Sequence, residues 1–87
     1  MPHYFFHVLN DIEARDEDGQ YFADLDEAVT EARDTAADLI RDEIRAGRQI
    51  HPDHRIEIED EQGQVVHVLR FGDLVAGRES TAGAPAH

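Results

Sequence analysis

Histidine is the residue type best suited to chemistry in this chain, which has six. His51 and His54 form an H-x-x-H pair around Asp53, and all three side chains can ligate a metal. Protein metal sites gather three or four ligands at ~2.0–2.2 Å from the ion. This pair has no helix to align it and no further ligand at regular spacing. His51 and His54 are thus the candidate metal ligands, a solvated loop is the plainer expectation, and no cofactor is implied. His3 and His7 would share one face of a strand, but at ~3.3 Å per residue they stand ~13 Å apart and cannot chelate one ion together.

Other catalytic arrangements find little to build on. There is no cysteine, so thiol chemistry and disulfides are excluded. The single serine, Ser80, lies near the C-terminus. No glycine-rich phosphate loop occurs. Carboxylates abound, but they fall in turns, on a helix surface and on wet strand positions. A catalytic pair instead needs surroundings that push two pKa values apart. No catalytic residue is assigned, and the expectation is a protein that is not an enzyme.

Charge narrows the partners. Twenty acids face eight bases, for a net charge of −12, and every base is arginine. That balance opposes nucleic acid and anionic lipid, so the expectation is no nucleic acid and no membrane. The expected partners are a second copy of the chain or a basic protein. The first nine residues read as a strand rather than an export signal, so cytoplasm is the expected location.

The elements that must position these residues follow from periodicity. Residues 3–9, HYFFHVL, are aromatic and β-branched and read as a strand with apolar groups on both faces. A second, shorter strand is expected within 11–22, around a turn at 16–19 in which Gly19 takes a positive φ. Residues 25–46 read as a helix of about six turns. Asp24 serves as N-cap, Glu27 as its capping-box partner and Gly47 as the residue past the C-cap. Its apolar stripe is Leu25, Ala28, Val29, Ala32, Ala36, Leu39, Ile40 and Ile44. Residues 55–60, RIEIED, alternate with Ile56 and Ile58 inward. After a turn at 60–63, residues 64–71 return as the last strand. The runs D-E-D-G-Q at 16–20 and D-E-Q-G-Q at 60–64 echo one another, as acidic residues before glycine make good turns.

The predicted fold class is α+β, β-β-α-β-β: a four-stranded, mainly antiparallel sheet with one long helix packed on one face. The predicted strand order is 2-1-3-4, with 2-1-4-3 as the alternative. Residues 1–75 form the single domain, and 76–87 are expected to be a disordered tail. One helix covers only one side of such a sheet. Tyr4, Phe6, Val8, Ile56, Ile58, Val66 and Val68 are assigned to that side. Phe5, Leu9, Val65 and Leu69 are left on the other as a self-association patch.

The start M-P-x-Y-F-F-H-V at 1–8, the D-E-x-G turn, the helix start D-L-x-E-A at 24–28 and the closing V-x-x-L-x-F at 66–71 resemble a family of short bacterial proteins known only as a domain of unknown function. The likeness spans about residues 1–75 and rests on core and turn positions. It implies a shared fold and no activity. The D-G pair common in that family after the first strand is replaced here by Asn10-Asp11-Ile12, which implies a different first loop. The functional expectation is a non-enzymatic binding or regulatory module acting as a homodimer. The alternative is an acidic, antitoxin-like or inhibitory partner of a basic protein.

Overall fold

The computed structural model describes residues 1–10 and 13–75. The expected tail at 76–87, and Asp11 and Ile12 of the first loop, lie outside the described residues.

The elements run β1 (His3–Leu9), β2 (Glu13–Ala14), β3 (Gln20–Tyr21), α1 (Leu25–Arg45), β4 (Arg55–Glu59), β5 (Val65–Arg70) and α2 (Phe71–Val75). The sheet is antiparallel throughout, in the order β2-β1-β4-β5, with β3 also paired to β1. The predicted second strand is thus two short pieces, and the order matches 2-1-3-4. The α+β class also stands as predicted.

Helix α1 begins where Asp24 accepts a hydrogen bond from the Glu27 amide at 2.9 Å. Glu27 reaches back to the Ala23 amide at 3.0 Å, one residue before the N-cap. The helix ends in a Schellman motif. Gly47, at φ 78°, donates to Ile44 O, and Arg48 donates to Glu43 O. Three alanines at four-residue spacing, Ala28, Ala32 and Ala36, are fully buried and let the helix axis come close to the sheet. Ala32 and Ala36 pack with Ile56, Ile58, Leu69 and Phe71, and Tyr4, Phe6, Val8 and Val66 flank this core. Phe22 stacks on Phe6 at 5.5 Å between ring centroids.

Three assignments need correction, those of Ile44, Leu69 and Val68. Ile44 is 63% exposed, because the last turn of α1 outruns the core. Leu69 is fully buried against the helix rather than on the open side. The cause is a β-bulge. Ile58 pairs with His67 and Glu59 with Val65, so Val66 is an extra residue without a partner across the ladder. Val66, His67 and Leu69 consequently face α1, while Val65, Val68 and Arg70 face away. Simple alternation places Val68 and Leu69 the other way round.

Candidate functional site

The face of the sheet opposite α1 carries the chemistry-bearing residues. By register, β1 contributes His3, Phe5, His7 and Leu9, β4 contributes Arg55, Glu57 and Glu59, and β5 contributes Val65, Val68 and Arg70. Phe5 sits opposite Glu59, His7 opposite Glu57, and Leu9 opposite Arg55. Of the predicted patch, Phe5 and Leu9 are half-buried here and Val65 is 48% exposed. Leu69 has left it for the core, and Val68 takes the vacated role.

The charges on this face are arranged in place. Arg55 Nε donates to Glu57 Oε2 at 2.9 Å, which offsets the juxtaposition of Arg55 and Arg70 across the ladder. At one end, the His3 ring stacks on Tyr21 at 4.3 Å and leans on Phe5 at 4.6 Å. His3 Nε2 lies 2.7 Å from the Asp18 carbonyl, a contact in which the ring nitrogen donates.

The segment between β2 and β3 has an unusual anchor. Where a neighbouring strand would accept from Phe6, the Asp16 carboxylate does so at 3.1 Å. Its other oxygen accepts from the Asp18 and Gly19 amides at 3.2 and 3.0 Å. The Asp16 amide in turn donates to His7 Nδ1 at 3.1 Å. Burial pushes the Asp16 carboxyl up. The amides of Gly19, Phe6 and Asp18 together with the nearby His7 outweigh it, and the group settles below the ordinary carboxylate range. His7 is only 4% exposed, and its Nε2 lies 3.5 Å from Glu59 Oε1. Sequence reasoning placed His7 on this face but missed its partners. The signal was the D-E-D-G run, read only as a turn.

The candidate metal ligands lie elsewhere. His51 and His54 sit on the loop between α1 and β4, their rings 4.7 Å apart, with His54 edge-on to Phe71. The loop is tied down by Phe71 N to His54 O and Gly72 N to Pro52 O. Beside it, Arg48 grips Glu43 with two nitrogens, at 3.0 and 2.9 Å. That grip holds the Glu43 carboxyl below its usual range against a smaller effect of burial, and His54 and His51 add to the lowering. Among the described residues no group of three or more His, Cys, Asp or Glu side chains gathers to hold a metal. His51 and His54 therefore remain a pair.

The model of a family described as "Domain of unknown function (DUF6894)" matches residues 3–72. The chain belongs to this family. The matched span opens on the first residue of β1 and closes inside α2, so it takes in the whole sheet, α1 and the His51–His54 loop. No curated protein and no solved structure matches the chain. Among the described residues, no helix is long and apolar enough to cross a membrane.

Proposed function

We propose that this DUF6894 chain is a cytoplasmic, non-enzymatic binding or regulatory module that works as a homodimer, joined through the sheet face opposite α1. One observation carries the reading: Phe5, Leu9 and Val68 of that face are only half-buried and Val65 is exposed, while Arg55 and Glu57 neutralise each other. Phe5, Leu9, Val65 and Val68 lie across neighbouring strands. The carboxylates contributed by β1, β4 and β5 are Glu57 and Glu59, with Arg55 and Arg70 alongside. Much of the negative charge lies away from this face, on the outer side of α1, where Asp26, Glu27, Glu31, Asp34, Asp38 and Asp42 are exposed. A two-fold arrangement of two such faces brings together apolar patches and mixed charges rather than the acidic surfaces.

That acidic stripe favours a second reading, an antitoxin-like or inhibitory partner of a basic protein. The two respond oppositely to salt. A dimer of chains with net charge −12 tightens as salt screens their repulsion, whereas an acid–base complex loosens. Light scattering at low and high salt tests the first reading, with Phe5→Glu/Val68→Glu as the disrupted control. Dimers of the wild type, strengthened by salt and lost in the double variant, are the expected result. A wild type that stays monomeric at high micromolar concentration in both buffers would sink it.

A further inference from the structure

His7 combines three properties that the self-association reading does not use. It is almost fully buried on a face without a helix, it anchors a backbone amide, and it can change charge. The Asp16 amide can only donate, so His7 Nδ1, 3.1 Å away, must be unprotonated. In the neutral ring the proton then sits on Nε2. That buried atom has no hydrogen-bond partner, and Glu59 Oε1 stands 3.5 Å off.

We propose that His7 is a proton-operated latch on the segment joining β2 to β3. The only site for a second proton is Nδ1, the very atom that holds Asp16. When Nδ1 takes a proton from solvent, an N–H bond forms there and two donors confront each other, so the Asp16 amide must let go. The charged ring is accommodated where it stands. Asp16, on the segment, presents its carboxylate, and β4 presents Glu59 together with Glu57, which lies opposite His7 in register. Arg55 is bound to Glu57, and His3 is held by the Asp18 carbonyl four residues away along β1. Arg15, Glu17 and Asp18 are the remaining charged groups of the segment, and Arg15 pairs with Glu13. The latch does not release the whole segment. The Asp16 carboxylate keeps its bond to the Phe6 amide, so the change is a local re-seating of residues 15–19 rather than unfolding. No self-association is required for it.

Nuclear magnetic resonance of the whole chain tests the latch, from about pH 8 to about pH 5, the span in which histidine changes charge. At the upper end the ring nitrogens of His7 should report the Nε2–H tautomer. As His7 becomes protonated, protection of the Asp16 amide from hydrogen exchange should fall about tenfold, the scale of one lost hydrogen bond. The Phe6 amide should keep its protection. In His7→Asn, the side-chain oxygen replaces Nδ1 as acceptor and does not titrate, so Asp16 protection should not vary with pH. An Nδ1–H tautomer at the upper end would overturn the proposal. So would a His7 that does not titrate in this range, or Asp16 protection that is unchanged while His7 titrates. These three readings come from the wild type and do not depend on the variant's folding.

Discussion

The two D-E-x-G-Q turns share a local code and are used differently. In both, an aspartate carboxylate collects amides of its own turn: Asp16 takes those of Asp18 and Gly19, and Asp60 those of Gln62 and Gln64. In both, the glycine has a positive φ, 68° at Gly19 and 81° at Gly63. The second turn closes the β4–β5 hairpin, and a Cβ on Gly63 would meet nothing within 4 Å. The first is wedged against β1. A Cβ on Gly19 would come within 2.5 Å of His3 Nε2 and 2.8 Å of the Tyr4 carbonyl oxygen. Its aspartate also reaches out of the turn to Phe6 and His7. Local sequence chose the turn, and the surroundings decided what it anchors.

Substitutions at paired positions break this comparison most directly. Gly19→Ala incurs the left-handed strain and a backbone clash, and should cost about 3 kcal/mol. Gly63→Ala incurs the strain alone, about 1 kcal/mol. Thermal melts resolve the difference, since 1 kcal/mol moves the midpoint of a small domain by about 4–8 °C. Equal losses would mean that the first turn is not wedged. Asp16→Ala strands the Phe6 amide in the sheet and should cost about 2 kcal/mol. Asp60→Ala frees only exposed turn amides and should cost less than about 1 kcal/mol.

Acid titration sharpens the contrast. The Asp16 carboxyl is held below the ordinary aspartate value of 3.8 in the fold. Its ionised form therefore adds stability that is complete above that value and is lost as pH falls through the lower, folded one. Asp16→Asn removes this contribution, so its unfolding free energy should fall less steeply than the wild type's below about pH 4. Urea melts at stepped pH measure it, and parallel curves would refute the assignment. The smallest effect is expected where the second turn touches β1. Glu61 of the second turn accepts from the His3 amide at 3.3 Å. Glu61→Ala should cost about 0.5 kcal/mol, and Glu17→Ala, at the matching position, nothing measurable in the same melts.

Much of the scaffold was legible because it is written locally. Asp24, the four-residue alanine spacing and Gly47 specify the start, face and end of α1 without reference to the rest of the chain. Ile56 and Ile58 alternate cleanly, and short turns force antiparallel neighbours, which led to the strand order. The misreadings lie where a tertiary partner intervenes. Nothing in Q-V-V-H-V-L-R signals that Val66 is an extra residue, and that single insertion carries Leu69 into the core and Val68 out of it. The division of the second strand into β2 and β3 follows from Asp16 occupying the Phe6 amide. That contact spans ten residues and has no period to betray it. The open face was therefore anticipated in position but wrong in one of its four apolar members.

Occupying the Phe6 amide also bears on aggregation. The edge of a sheet is a template onto which another chain can add a strand. On the outer side of β1, between its two short partners, the Phe6 donor is filled by a carboxylate. An ionised carboxylate accepts and cannot donate, so it closes the ladder at that point and offers an incoming strand no hydrogen to grip. The barrier is chemical rather than long-range. Salt that screens the repulsion between copies leaves it standing, whereas strong acid, by neutralising Asp16, weakens it. Strand addition at this point of the edge is therefore expected under acid conditions rather than at high salt.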